Sequence, residues 1–262
     1  MINFHKNKNK NKIINFLKDF KQNNINNFRN SENFHKRLLQ NKPYDFDIND
    51  CVNLYNKIIE TRRLCVLEFG SGWSTLIIAK ALYDLKKKYF KKVSKIRKRD
   101  IFCLYVLETS SKFKNISMSR IPNYIKKEIK ITAGVSGVIM SKYRDSVCNT
   151  YKKIPNCNPD FVYIDGPHIK DIKGHINNIN FSKNDDFTPL SGDALMLENI
   201  FIPGTIIYLD GRRNNFLFLK NNFQRKWESK TDKKNDIHYF TLKDDSLGIH
   251  NDKLLRFYKN GT

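Results

Sequence analysis

The chain has 262 residues, 48 of them Lys or Arg against 26 Asp or Glu, for a formal net charge of +22. Hydrophobic residues make up 40%, enough for one globular domain with a well-buried core and too many for a disordered chain. No run approaches the roughly 18 apolar residues of a membrane span, and the opening MINFHKNKNKNK has neither the apolar stretch nor the cleavage site of a secretory signal. The five cysteines (Cys51, Cys65, Cys103, Cys148, Cys157) form no CxxC pair, which argues against a zinc ribbon or redox dithiol and fits reduced thiols in a cytoplasmic protein. The charge leaves two explanations open. Asn, Lys and Ile are abundant and Ala is scarce, as AT-rich coding produces; or the basic excess serves a polyanionic partner such as nucleic acid.

Residues 1–45 read as a basic Asn/Lys-rich N-terminal extension, loosely attached, with a short amphipathic helix over 12–20; residues 46–262 read as the folded domain. From Asp47 to Glu60, the residues Ile48, Val52, Leu54, Tyr55, Ile58 and Ile59 recur at helical spacing, behind a cap at Asp47 or Asn49. LCVLE (64–68) is a buried strand, STLIIAKALYDL (74–85) a helix capped by Ser74, and IFCLYVLE (101–108) a second strand. Between them, KKKYFKKVSKIRKRD (86–100) continues the helix into solvent, with binding of RNA or an acidic partner as the alternative. EIKIT (128–132) is a weaker third strand and DFVYID (160–165) a fourth. GDALMLENI (192–200) is a helix, TIIYLD (205–210) a fifth strand and NNFLFLKNNF (214–223) another helix. DIHYFTL (236–242) and KLLRFYK (253–259) close the chain as two strands, too near in sequence for a helical crossover and so an antiparallel hairpin. Continuous apolar strands alternating with helices predict an α/β, mostly parallel sheet covered on both faces.

The strand ends carry the chemistry. Glu68, Glu108 and Asp165 each close a strand, and Asp210 closes the fifth. Ligands of open parallel sheets bind outside the carboxyl ends of the strands, so these acids converge on one crevice. One such acid serves as well as a helix cap; four together repel one another unless a ligand uses them. The first turn, Glu68-Phe69-Gly70-Ser71-Gly72-Trp73-Ser74-Thr75, has two glycines that permit a tight turn and close approach of a ligand. A dinucleotide fingerprint asks for a third glycine where Thr75 stands, and Glu68 would repel a pyrophosphate while attracting an ammonium group. A nicotinamide-dependent dehydrogenase is disfavoured accordingly.

Glu68-x-Gly70-x-Gly72 after one strand, with Glu108 ending the next, resembles the class I S-adenosylmethionine-dependent methyltransferases. EFGSGWST, PDFVYIDGPH and PGTIIYLDGRRNN together resemble a subgroup of methyltransferase-like proteins, many of unassigned substrate, over about residues 50–260. The resemblance implies a Rossmann-like, doubly wound, seven-stranded sheet with an antiparallel final pair and helices on both faces. It implies that Glu68, Gly70, Ser71, Gly72, Ser74 and Thr75 hold the methionine end of S-adenosyl-L-methionine. Glu108 would accept hydrogen bonds from both ribose hydroxyls, with Thr109 and Ser110 flanking the adenosine. Two features depart from the pattern. Gly72 and Glu108 are 36 residues apart because of the lysine-rich insertion, and Ala133-Gly134 offers no acid for the adenine amino group, which leaves backbone or Ser136 to recognise it.

In the same family, Asp165-Gly166-Pro167-His168 occupies the loop of catalytic or substrate-contacting groups. His168 is the natural base because its ordinary pKa lies near neutrality; Asp165 would orient it or act as the base itself. Asp210, Arg212 and Asn215 are the substrate-binding candidates. Asp165 with Asp210 and Asn214 or Asn215 would suit a divalent ion, but Arg212 and Arg213 favour an anionic group instead, and no metal is assigned. The leading expectation is a methyltransferase acting on a small-molecule or sugar-type acceptor. The alternatives are an RNA or DNA methyltransferase, suggested by the charge alone, and a non-catalytic binding protein that keeps the cofactor fold.

Overall fold

The computed structural model describes residues 2–18 and 47–261. Its main sheet has seven strands: β1 (Cys65–Phe69), β2 (Cys103–Glu108), β3 (Lys130–Val135), β6 (Phe161–Ile164), β8 (Ile206–Asp210), β9 (Trp227–Asp232) and β10 (Ile237–Leu242). They lie in the order β3-β2-β1-β6-β8-β10-β9. The first five are parallel, and β10 runs antiparallel to both β8 and β9. This is the mostly parallel, doubly wound α/β sheet with an antiparallel closing hairpin that the sequence predicts. β1, β2 and β6 are buried along their whole length, as strands covered on both faces must be. Successive side chains alternate between two cores. Val66 packs with Ile58, Leu76 and Leu104 on one face, while Leu67 packs with Val162 and Ile207 on the other.

The helices are α1 (Ile2–Lys18), α2 (Ile48–Thr61), α3 (Trp73–Val93), α4 (Ser111–Arg120), α5 (Asn123–Lys126), α6 (Asp193–Met196), α7 (Arg213–Asn222) and α8 (Ile249–Asn260). Asp47 caps α2 by accepting from the Asn49 N–H at 2.7 Å. α3 begins one residue before the expected start, with Gly72 as its cap and the Thr75 hydroxyl, rather than Ser74, taking the Gly72 N–H at 3.1 Å. It runs on to Val93, so the first half of the lysine-rich insertion is indeed helix.

α1 is tied down more firmly than a loose extension would be. Ile13, Phe16 and Leu17 enter the core beside α2, and Lys12 donates to Tyr55 at 2.8 Å and pairs with Asp84 at 2.9 Å. Most of the remaining expected extension lies outside the described residues.

Two expectations need correction. KLLRFYK is not a strand; it lies in α8, and its buried residues Leu254, Phe257 and Tyr258 have the i, i+3, i+4 spacing of a helix face. The partner of β10 is instead β9, a polar edge strand with too little apolar alternation to stand out. GDALMLENI is only one α-helical turn, α6, followed by a 3₁₀ turn at Glu198–Ile200. The sequence also gave no warning of a second sheet, β5-β4-β7, built from β4 (Val138–Tyr143), β5 (Ser146–Tyr151) and the short β7 (Ile172–Lys173).

At the amino ends of the strands Asp160 is the anchor. Fully buried, it accepts from the Leu64 and Cys65 N–H groups at 2.9 and 3.0 Å and from the Tyr258 hydroxyl at 2.6 Å, and Lys98 lies 3.5 Å away. One carboxylate thus joins β1, β6, α8 and the insertion. The docking of α1 is testable: Leu17→Ala should lower unfolding free energy in urea by about 2–4 kcal/mol, the usual range for emptying a packed leucine site. A change below about 0.5 kcal/mol would mean that α1 is not packed on the domain in solution.

Candidate functional site

The carboxyl ends of β1, β2 and β6 meet where the chain turns out of each strand. After β1 the backbone passes through Gly70 at φ +91, a conformation that side chains rarely adopt. A Cβ on Gly70 would lie 2.8 Å from Gly166 N, and one on Gly166 would lie 2.7 Å from Gly70 Cα. The first turn and the Asp165–His168 loop therefore touch backbone to backbone. Gly70 N–H donates to Leu107 O at 2.8 Å and Asp165 N–H to Phe69 O at 3.0 Å, which ties both turns to neighbouring strand ends.

Glu68 lies beneath this contact with no exposed surface. Its Oε1 accepts from the Ser74 hydroxyl at 2.5 Å, while Oε2 has no partner of acceptable hydrogen-bond geometry among the described residues. Burial pushes its pKa up to about 8 against the opposing pull of the Ser74 and Thr75 hydroxyls, and the charges of Asp165 and Glu108 push the same way. The site thus holds a carboxyl that is largely protonated at neutral pH and would ionise beside a cation.

Glu108, at the tip of β2, is saturated by contrast. Its Oε2 accepts from Ser71 N–H and the Ser71 hydroxyl, both at 2.7 Å. Its Oε1 accepts from Thr109 N–H at 2.7 Å and Ser110 N–H at 3.2 Å. Thr109 Oγ1 also lies 3.0 Å from Glu108 Oε1, but it is 2.7 Å from Asp171 Oδ2. Its single proton goes to the shorter contact, which leaves an oxygen facing an oxygen at Glu108. Ser71, Thr109 and Ser110 are therefore brought together around the carboxylate itself.

The Asp165–His168 loop is clamped from β8. Arg212 donates through Nη2 to the carbonyls of Asp165 and Pro167, and its Nε lies 3.7 Å from Asp165 Oδ1. From below, the Ser191 hydroxyl donates to Gly166 O at 3.3 Å. His168 stands at the far end of this loop. Its Nδ1 accepts from Lys170 N–H at 3.3 Å, and burial, with help from Arg212 and Lys170, lowers its pKa although Asp171 opposes. With Nδ1 accepting, a neutral ring carries its proton on Nε2. Asp165, the other candidate base, has a half-exposed side chain.

Three further expectations change. Asn215 is buried and bonds both backbone groups of Ser191, from its Oδ1 and Nδ2 at 3.2 Å each, so it braces the wall of the site rather than facing a substrate. Asp210 closes β8 two strands away from β1, and it is Arg212 that reaches back to the loop. Ala133 and Gly134 lie within β3, and Ser136, the alternative adenine contact, is buried with its hydroxyl accepting from Lys153 N–H at 2.9 Å and donating to Gly137 O. Among the described residues no three His, Cys, Asp or Glu side chains gather as a metal site requires, and no helix is long and apolar enough to cross a membrane. Sequence reasoning missed Asp171, Tyr151 and Asp193. All three come from segments around the second sheet whose strands were not foreseen, and the alternation of Val138 with Met140 before Arg144-Asp145 was the available signal.

No family model and no curated protein matches the chain. Among solved structures it is similar to an O-methyltransferase from Bacillus cereus in complex with SAH, at 13% identity over 88% of this chain and 96% of that one, with a TM-score of 0.42. It is similar to the O-methyltransferase TomG of Streptomyces achromogenes, involved in tomaymycin synthesis and in complex with SAM, at 12% identity over 80% and 86%, TM-score 0.43. It is also similar to the SAH-bound methyltransferase PaMTH1 of Podospora anserina, at 12% identity over 89% and 96%, TM-score 0.43.

The buried carboxyl makes a signed prediction about stability. A Glu68 pKa near 8 in the fold, against an ordinary 4.5, means that the folded state binds the extra proton between those values, so stability falls as pH rises through that window. Glu68→Gln should therefore unfold at a higher denaturant concentration than wild type at pH 9, with the gap closing towards pH 5. A pH-independent difference would place the Glu68 pKa in the ordinary range.

Proposed function

We propose that this chain is an S-adenosyl-L-methionine-dependent methyltransferase with a small-molecule or sugar-type acceptor. The observation that carries the reading is Glu68: a fully buried carboxyl near the tip of a central strand, with one oxygen that has no hydrogen-bond partner among the described residues and with acids as its strongest charged neighbours. Such a group calls for a cationic ligand, and the ammonium of the cofactor's methionine end supplies one. It speaks against a pyrophosphate at the same turn. When bound, the cofactor supplies an electrophilic methyl group on a sulfonium.

The chain's own part is to align and to dehydrate. Glu68 holds the ammonium, Glu108 takes the ribose once Ser71 turns away, and Thr109 and Ser110 border the adenosine. Asp165, fixed by Arg212, receives the proton of an acceptor hydroxyl, and His168 donates from Nε2 to the acceptor. Arg212 is the substrate-facing group best placed for an anionic substituent; Asp210 lies further out. The five cysteines, all unpaired and buried, support a reducing, cytoplasmic setting.

The basic charge does not argue for nucleic acid at this crevice. Lys86 and Lys87 pair with Glu128, Lys92 donates to Gly261 O, and Lys98 pairs with Asp160. These lysines follow the part of α3 that runs away from the strand tips. One observation favours the non-catalytic alternative: Glu108 is saturated by the chain's own donors, as a scaffold that keeps the fold without its ligand would be.

Calorimetric titration with S-adenosylhomocysteine decides between them. Wild type should bind, and Glu68→Gln should bind about tenfold or more weakly through loss of a charge-assisted contact. Glu108→Ala is a poorer reporter because it strips three backbone N–H groups of their acceptor. No binding by wild type would leave the scaffold reading. With labelled cofactor and a metabolite extract, Asp165→Asn should lose most turnover while keeping its affinity for S-adenosylhomocysteine, and His168→Ala should lose less than tenfold. Label appearing in RNA instead of small molecules would overturn the acceptor class.

A further inference from the structure

A buried phenol points into the same seam and has no partner. Tyr151, the last residue of β5, is 4% exposed, and its hydroxyl makes no hydrogen bond among the described residues. A Cβ on Gly166 would lie 2.8 Å from that hydroxyl, so it stands where the first turn meets the Asp165–His168 loop. The rest of the residue is firmly held. Its N–H donates to Asp193 Oδ1 at 2.9 Å, its ring packs on Phe69 with centroids 5.3 Å apart, and it pairs in register with Val138. A side chain this well fixed, with its polar end buried and unbonded, costs the free protein stability.

We infer that Tyr151 is a ligand-contacting residue whose hydroxyl donates to a sugar hydroxyl of the ligand, the same hydroxyl donating in turn to Glu108. The inference rests on the cofactor reading and adds a residue to it. Glu108 reaches the same seam through Ser71, from whose N–H and hydroxyl it accepts at 2.7 Å each, one residue beyond Gly70; burial, with Glu108, Asp193 and Asp171 and against Arg212, keeps the phenol un-ionised far above neutral pH. A neutral O–H that shares this seam with a carboxylate asks for a group that both accepts and donates. A ligand carboxylate at that point would be repelled by Glu108, and an ammonium has no lone pair to take the phenol's proton. A hydroxyl satisfies both partners, and a ribose presents two.

The test uses the full chain, S-adenosylhomocysteine and its 2′-deoxy and 3′-deoxy analogues. Tyr151→Phe should melt at or above the wild-type temperature in the absence of ligand, because it removes an unbonded buried oxygen, and should bind S-adenosylhomocysteine about fivefold or more weakly. One deoxy analogue should lose the same factor on wild type and nothing further on Tyr151→Phe, the non-additivity expected of a direct contact. Equal binding by wild type and Tyr151→Phe overturns the contact while leaving the cofactor reading intact. A Tyr151→Phe protein that melts several degrees lower shows the hydroxyl already bonded within the fold and overturns it as well. Failure of wild type to bind S-adenosylhomocysteine removes both readings together.

Discussion

A carboxyl group buried without a counter-charge is the constraint on which this site depends. Burying an ionised carboxylate without a partner is costly enough that the group takes up a proton instead. Glu68 shows that outcome: it sits on a strand covered on both faces, with one oxygen bonded to Ser74 and the other without a partner of acceptable geometry among the described residues. Nothing about the packing of β1 requires an acid at that position. An apolar residue or glutamine would fill it at less cost, and this tension makes the tip of β1 read as a place for a cation.

The surrounding architecture keeps that place in shape. Backbone contact between Gly70 and Gly166 locks the first turn against the loop after β6, Arg212 holds that loop from above, and Ser191, itself held by Asn215, holds it from below. At the opposite end of the sheet Asp160 ties β1 to β6 and α8. Among the described residues, Glu68 Oε2, the Tyr151 hydroxyl and Asp193 Oδ2 are buried near the carboxyl ends without a hydrogen-bond partner, as are Nε and Nη1 of Arg63 at the amino end of β1. The Asp193 carboxyl is also pushed up by burial, to about 7.

The strands that form the heart of the sheet were legible because each is a continuous apolar run closed by an acid, and their parallel order follows from the helices between them. The closing hairpin was legible in kind but not in place. KLLRFYK alternates well enough to pass for a strand until three-dimensional burial picks out Leu254, Phe257 and Tyr258, whereas WESKTD, an edge strand facing solvent on one side, carries almost no apolar signal. The identities of Glu68, Glu108 and Asp165 as strand-end acids could be read directly. Their states could not, since the saturation of Glu108, the tautomer of His168 and the inward turn of Asn215 depend on partners from distant segments. Tyr151 was invisible for the same reason: its strand is short, partly polar and paired outside the main sheet.

The protonation of Glu68 tests this account most directly. Carbon-13 NMR of the labelled side-chain carboxyl, followed from pH 5 to 10, should give a titration near 8 in the free protein and a marked fall once S-adenosylhomocysteine is added, as the ammonium stabilises the ionised form. A carboxyl that titrates in the ordinary glutamate range in the free protein, or one whose titration is unmoved by saturating ligand, would contradict it.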